Sequence, residues 1–484
     1  FVVDRYREER RRGAPKLDAI QIAGSTASRA VLFSGLTVVF ALLGLILVPN
    51  SIFRSVGAGA ILVVVAAVAA TLTLIPALLA LLGDKINWPI RRRYDAAAAV
   101  KQDLYDHETI HAGFWGRITR VVMARPIAAV VLSVAFLLAA ASPLVNLNIG
   151  SAGVETLPES GARTGFEILN DQFSAGRLAP IKVVIDGPRQ EFEAGANQLV
   201  ADLRAAGVYA DVPAPVWSAD ENAALITATL AIDANAEAAY DEVDRLRDAA
   251  VPAVFGNRAE QVYVTGNTAV NADFFAVVDD WTPLVIAFVL GLSFLLLMIV
   301  FRSVVLPLKA ILLNLLSVGA AYGLMVLVFQ EGVGADLLGF QEAPTVDAWI
   351  PLFLFAVLFG LSMDYHVFLL SRIREHYDLT GRNGESVAVG LQSTAKIITG
   401  AAIIMVAVFA GFATSRLVGL QQMGFGLAVA VFIDATIIRS VLVPASMAIL
   451  GKWNWYLPRW LDWLPDLRVE RVETLPVIVP SGDD

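Results

Sequence analysis

Eight stretches of this 484-residue chain are long and apolar enough to cross a bilayer: 30–48, 55–82, 126–145, 281–301, 306–330, 348–370, 397–415 and 420–450. Backbone inside hydrocarbon must satisfy its own hydrogen bonds, so such stretches are confined to helices. Composition agrees, at 57% hydrophobic residues. The expected fold class is a polytopic α-helical membrane protein. Only Lys309, Asp364, Asp434 and Arg439 are charged within the spans. Lys309 lies near a span end, where its stem can snorkel to water. The other three lie deep.

Lys and Arg set the orientation. Residues 1–29 hold seven, 83–125 hold eight and 371–396 hold four, whereas 331–347 hold none and carry four acids. With eight spans both ends fall on the same side as the basic loops, so both are placed in the cytoplasm. The long connection 146–280 then lies outside. It carries 21 acidic and 8 basic residues, net −13, and the rest of the chain is +4. That acidity argues against nucleic acid as a partner. Cysteine is absent, which excludes thiol chemistry.

The outer connection reads as strands at 181–185, 208–212, 223–232 and 261–265, with amphipathic helices at 191–206 and 236–250. The order β-α-β-β-α-β is the split βαβ, ferredoxin-like pattern of an α+β domain. Residues 267–280 continue as helix into the next span. The expected organisation is 1–90 with two spans, a cytoplasmic connection at 91–125 and a span at 126–145. The outer domain follows at 146–280, then a five-span bundle at 281–451 and a cytoplasmic tail at 452–484.

An internal repeat runs through the chain. Phe1-Val-Val-Asp-Arg-Tyr-Arg-Glu-Glu matches Phe368-Leu-Leu-Ser-Arg-Ile-Arg-Glu-His at an offset of 367, and Gly57 and Gly59 fall on Gly424 and Gly426. After a slip of one residue, Pro76-Ala-Leu-Leu-Ala-Leu-Leu-Gly83 falls on Pro444-Ala-Ser-Met-Ala-Ile-Leu-Gly451. Parallel duplicated halves are a transporter signature. The repeat implies a first copy of the segment around Asp364 that would lie ahead of Phe1, so an N-terminal truncation is expected.

Asp364 interrupts an otherwise uncharged run, 348–363 before it and 365–371 after it. A charge there costs roughly 2.5–3.5 kcal/mol on insertion scales and by default marks an ion or proton path. Tyr365 can donate to the carboxylate or accept from the acid. Gly360 lies one turn earlier on the same helical face, where a neighbouring helix can approach closely. The blander readings are a structural Asp and an aromatic packed between helices. His366 sits beside the pair and is assigned no role. Asp434 and Arg439 form a secondary intramembrane polar site. On an α-helix they stand about 140° apart, so each is expected to find its partner on another helix.

At these residues the chain resembles the MMPL (mycobacterial membrane protein large) family of the resistance–nodulation–division superfamily. The resemblance is carried by Phe359-Gly-Leu-Ser-Met-Asp-Tyr365, Phe368-Leu-Leu-Ser-Arg-Ile-Arg-Glu375, Asn314-Leu-Leu-Ser-Val-Gly-Ala-Ala-Tyr-Gly323, Ala401-Ala-Ile-Ile-Met-Val-Ala-Val-Phe409 and Asp434-Ala-Thr-Ile-Ile-Arg439. It implies twelve spans, of which eight are present here, and two external porter domains, of which 146–280 is the second. It further implies proton-driven export of lipids or hydrophobic compounds from the plasma membrane. The proton gradient is then the energy source, with no cofactor. Asp364 and Tyr365 match half of a proton relay whose other half belongs to the missing N-terminal part. The implied partners are the substrate, membrane lipids and that missing half. Oligomeric state stays open, a homo-oligomer included.

Two other readings compete. His107-Glu-Thr-Ile-His111 fits H-E-x-x-H, in which His107 and His111 would hold zinc and Glu108 would act as base. It sits in a polar connection with no obvious third ligand, so no metal is expected. A sterol-sensing-like receptor shares the superfamily's helical architecture and would tolerate loss of Asp364. No phosphate-binding G-x-x-x-x-G-K-[ST] loop is present, so ATP hydrolysis by this chain is not expected, and the transporter reading makes it no enzyme. Arg91–Arg93 is expected against anionic headgroups. Trp453, Trp455, Trp460 and Trp463 read as an interfacial belt.

Overall fold

The computed structural model describes residues 2–11, 13–87, 114–151, 153, 156, 160–173 and 175–464, with the backbone alone at a few of these, Asp364 included. His107, Glu108, His111, Arg91–Arg93 and the tail after Leu464 lie outside the described residues. Seven helices among the described residues are long and apolar enough to cross a membrane. The span read at 30–48 is the end of a longer helix whose apolar part is shorter, Val31–Leu47. Polar residues, Lys16, Asp18 and Arg29 among them, interrupt the first half of that helix.

The first repeat comprises α1 (Val2–Arg11), α2 (Lys16–Leu47) and α3 (Ser51–Leu82). Asn50 caps α3 by accepting from the Ile52 amide, and Gly83, at φ 52°, ends it. Next come α4 (Phe114–Ala124) and α5 (Pro126–Ala141), whose leading proline suits a first turn.

A small α+β unit follows. Strand β1 (Ile149–Gly150) and helix α6 (Gly161–Gln172) lead into β2 (Ile181–Asp186), α7 (Arg189–Ala205), β3 (Tyr209–Asp211), β4 (Val216–Trp217), β5 (Ala223–Leu230), α8 (Glu237–Arg245), α9 (Val251–Phe255) and β6 (Val262–Thr265). The sheet order is β3-β5-β2-β6, with antiparallel pairing throughout, and β4 adds to β5. Strand β2 alternates as a half-buried strand should: Ile181, Val183 and Ile185 are buried, while Lys182 and Asp186 are exposed. Phe192, Leu199 and Leu203 of α7 and Val243 of α8 close the core over that face.

The remaining helices are α10 (Asn267–Phe301), α11 (Val305–Met325), α12 (Ala335–Leu338), α13 (Trp349–Thr380), α14 (Asn383–Ala413), α15 (Val418–Ile433) and α16 (Val443–Leu450). A parallel pair of β1 with β7 (Val346–Asp347) ties the start of the α+β unit to the head of α13. Helix α13 is central and packs against α2, α10, α11, α14 and α15. Lys309 does not snorkel. Its neighbours Leu306 and Ala310 are buried with it, and its Nζ is enclosed without a hydrogen-bond partner among the described residues. Helix α11 packs against α5 and the turn Gly451–Trp455.

The repeat is visible in the helices. Helices α2 and α14 begin 367 positions apart, as do α3 and α15. Helix α3 and the end of α16 finish 368 apart. The second copy therefore holds one residue more.

Candidate functional site

Helix α13 presents two polar faces, because residues two apart point about 200° apart around an α-helix. Gly360 and position 364 share one face. At Gly360 a Cβ would stand 3.2 Å from Val38 Cγ1 and 3.5 Å from Ala41 Cβ, so this face lies tightly on α2 of the first repeat. The side chain of Asp364 lies outside the described part, and only its place on the helix is given.

The face bearing Ser362 and His366 meets a buried cluster from α11 and the last span. Ser362 Oγ is 2.7 Å from Asn314 Oδ1 and 3.1 Å from Asp434 Oδ1. Asp434 Oδ2 accepts from Arg439 Nε at 2.9 Å and from Nη2 at 2.8 Å. Arg439 Nη2 also donates to the Ser362 carbonyl and lies 3.2 Å from Ser362 Oγ. The guanidinium sits over the Tyr365 ring, 4.5 Å from its centroid, a cation–π contact. Tyr365 hydroxyl reaches Met405 Sδ at 3.3 Å. His366 Nδ1 is 3.3 Å from the Ser362 carbonyl, which can only accept. That places a proton on Nδ1, while the buried Nε2 has no hydrogen-bond partner among the described residues.

Asp434 and Arg439 pair with each other, against the expectation from α-helical spacing. The stretch 434–442 is wound as a π-helix, in which the Val443 amide bonds the Ile438 carbonyl. An i→i+5 winding brings the fifth residue on almost directly above the first. The wide turns lie between Gly426 and Pro444, where the second repeat holds its extra residue, whereas α3 is α-helical from Ser51 to Leu82. The one-residue slip seen in the sequence thus coincides with the winding that allows the pairing. Sequence reading registered the slip and the charges separately. It also passed over Ser362 and Asn314 as site members, because both are uncharged.

A cavity of ≈ 20 Å³ abuts Asp434, lined by Asn314, Ser317, Ser362 and Tyr365. That is room for about one water among several polar partners. A second cavity, ≈ 590 Å³, lies between the α+β unit and the helix ends, bordered by Asn148, Phe166, Asp233, Tyr240, Phe275 and Asp279. Among the described residues no group of acids and histidines is arranged to hold a metal.

Duplicated bundles of membrane helices around buried, ion-paired polar residues define a multi-pass membrane protein of the resistance–nodulation–division type. The MMPL family model matches residues 1–129 and 163–465, and the chain belongs to this family. It is 38% identical to the mycolic acid-containing lipids exporter MmpL11 of Mycolicibacterium smegmatis, over 100% of this chain and 52% of that protein. It is likewise 38% identical to the heme uptake protein MmpL11 of Mycobacterium tuberculosis H37Rv, over 97% of this chain and 48% of that one. Identity to the trehalose monomycolate exporter MmpL3 of M. smegmatis is 31%, over 95% and 48%. The chain thus spans about half the length of these relatives. Among solved structures, the hedgehog release protein Disp from a water bear has a similar fold, with a TM-score of 0.57 at 16% identity, over 90% of this chain and 59% of that one.

Proposed function

We propose that the chain is part of a proton-motive-force-driven exporter of lipids or other hydrophobic compounds across or out of the plasma membrane. Asp364 and Tyr365 supply half of its intramembrane proton relay. One observation carries this reading. Helix α13, which bears both residues, packs through Gly360 on the other repeat and through Ser362 and Tyr365 on the buried Asp434–Arg439 pair. A proton gained or lost on α13 is therefore felt on both sides of the repeat interface, where transport sites of duplicated folds lie. Two of the relatives are named as lipid exporters, which supports lipid as cargo. On this reading both ends face the cytoplasm and the α+β unit is extracytoplasmic, with the cavity beneath it on the substrate's path.

The test is Asp364→Asn in the full-length protein. Export is expected to vanish while the protein still inserts and unfolds at an unchanged temperature. Undiminished export by that variant rules the relay out.

A further inference from the structure

We propose that Gln422 is a positioning residue of the outer, ≈ 590 Å³ cavity. It fastens one wall of that cavity to the second-half bundle. The facing wall is fastened to the first repeat, so the cavity widens and narrows as the repeats move. The inference rests on the reading of the protein as an exporter and not on the source of its energy.

The α+β unit has two roots, because its chain enters through β1 and leaves through β6 into α10. The first root is the β1–β7 pair. The Val346 amide donates to the Asn148 carbonyl at 2.9 Å, and the Ala348 amide donates to the Gly150 carbonyl at 3.0 Å. Gly150 is needed for this approach, since a Cβ there would stand 2.7 Å from Thr345 Cγ2. Strand β7 runs directly into α13, so β1 is tied to the head of that helix.

The other edge of β7 pairs with no strand among the described residues. Gln422 of α15 takes that place. Its Nε2 donates to the Thr345 carbonyl at 3.0 Å, and its Oε1 accepts from the Asp347 amide at 3.3 Å. One primary amide thus supplies the donor and the acceptor that a neighbouring strand would bring. Gln422 is fully buried, where breaking such bonds leaves backbone groups unsatisfied. Helix α11 adds a second amide from the π turn Val326–Gln330 at its outer end. Gln330 Nε2 donates to the Pro344 carbonyl at 2.8 Å, and the side chain exchanges bonds with the Asn148 backbone at 3.3 Å each. The first root is therefore held by α11, α13 and α15 together.

The second root is α10, and the first repeat grips its outer half. Phe274 stacks on Phe53 of α3, with ring centroids 6.1 Å apart. A Cβ at Gly44 of α2 would stand 2.8 Å from Val289 Cγ2 and 3.0 Å from Val285 Cγ1, so α2 and α10 lie in close contact. Helix α10 also packs on α11 and α13, which makes this the contact that has to slide.

The cavity lies between the two roots. Asn148, Ile149 and Thr345 line it from the first, and Phe275 and Asp279 line it from the second. Halves of duplicated transporters move against each other around a site at their interface. Such movement here separates α10 from the β1–β7 pair and changes the width of the space between them. Gln422 makes the transfer stiff, because it binds β7 to a helix of the bundle that moves.

The chain has no cysteine, so labels can be placed without background. Ile149→Cys with Asp279→Cys in the full-length protein puts one thiol on each wall. Spin labels at these positions in lipid nanodiscs should give two separations by double electron–electron resonance. A short bifunctional thiol reagent should stop export, and a long one should leave the rate of the unlinked double variant. Gln422→Ala slackens the first root. It should merge the two separations into one broad range and lower export about tenfold, the equivalent of one hydrogen bond. If Gln422→Ala fails to fold, Gln422→Met removes the same bonds at similar volume. A single separation in the protein with Gln422 intact overturns the proposal, as does full export with the short linker quantitatively in place. Two sharp separations that persist without the Gln422 amide remove its role. Failure of Asp364→Asn to stop export bears on the relay alone. A full-length protein that exports nothing strikes the exporter reading, and the label separations then still decide whether the walls move.

Discussion

Arg439 is the largest of the fully enclosed side chains, and its counter-ion Asp434 is buried with it. Such pairs seldom add stability over apolar residues of similar volume, but removing one partner costs roughly 3–5 kcal/mol. The α+β unit contains a second enclosed carboxylate with the opposite logic. Glu242 is buried, yet it lies in reach of water-exposed Arg245, whose Nε donates at 2.7 Å, and it accepts from Tyr209 hydroxyl. Burial pushes the Glu242 carboxyl up, but the hydrogen bonds from Arg245 and Tyr209 outweigh it and hold the group below the usual range. Burial first, and then Glu242, push the Tyr209 phenol up. A carboxyl lowered in the folded state contributes stability that is present above its unfolded value of about 4.3 and is lost as pH falls through the folded value. Acid should therefore loosen this unit through Glu242, and Glu242→Gln should flatten the acid limb. Exchange of the β5 and α8 amides against pH measures it. An acid limb as steep in the variant as in the wild type would assign the effect to other groups. Charge counting found every buried membrane ion here, but the polar residues that join them, Asn314 and Ser362, carry no charge and are legible only once helices are packed.

The paired helices of the two repeats meet in the same way. A Cβ at Gly57 would stand 3.2 Å from Leu45 Cβ and 3.4 Å from the Leu42 carbonyl; one at Gly424 would overlap the Ala413 amide and stand 2.7 Å from the Phe409 carbonyl. Leu42 and Phe409 are 367 apart, like the glycines, so the contact is duplicated and tighter in the second copy. Membrane helices associate through such small residues. Gly57→Ala can be absorbed by small shifts, and the better helix propensity of Ala offsets them. Gly424→Ala must separate two backbones, at about 1–3 kcal/mol or more. Thermal unfolding of the purified protein should fall clearly for Gly424→Ala and hardly for Gly57→Ala; equal losses would show that the second contact can open without strain. At this level the sequence was a good guide. The strands read at 181–185, 223–232 and 261–265 are present as Ile181–Asp186, Ala223–Leu230 and Val262–Thr265. What it missed has two physical causes: the short β1–β7 pair depends on partners distant in the chain, and the π stretch is marked by a one-residue slip whose winding no local period announces.

The first repeat joins the second-half bundle where α2 packs on α13 and α10, with Arg372 on α13 3.9 Å from Glu8 on α1 at the end of the α2–α13 contact. If export requires the repeats to rock against each other, as in duplicated transporters, the α2–α13 contact has to move. The chain contains no cysteine, so a disulfide can be placed there without background. A Cβ at Gly360 would lie 3.5 Å from Ala41 Cβ, within the range of about 3.5–4.5 Å that a disulfide spans. The double substitution Ala41→Cys with Gly360→Cys should therefore oxidise readily and pin α13 to α2, one turn from Asp364. Oxidised protein is expected to stop exporting and reducing agent to restore it, with each single variant keeping most of its activity as the control for crowding at Gly360. Export that continues at full rate in quantitatively cross-linked protein would make α2 and α13 one rigid body. The moving boundary would then have to lie elsewhere, and the π stretch of the last span, packed on the far face of α13, would be the next place to look.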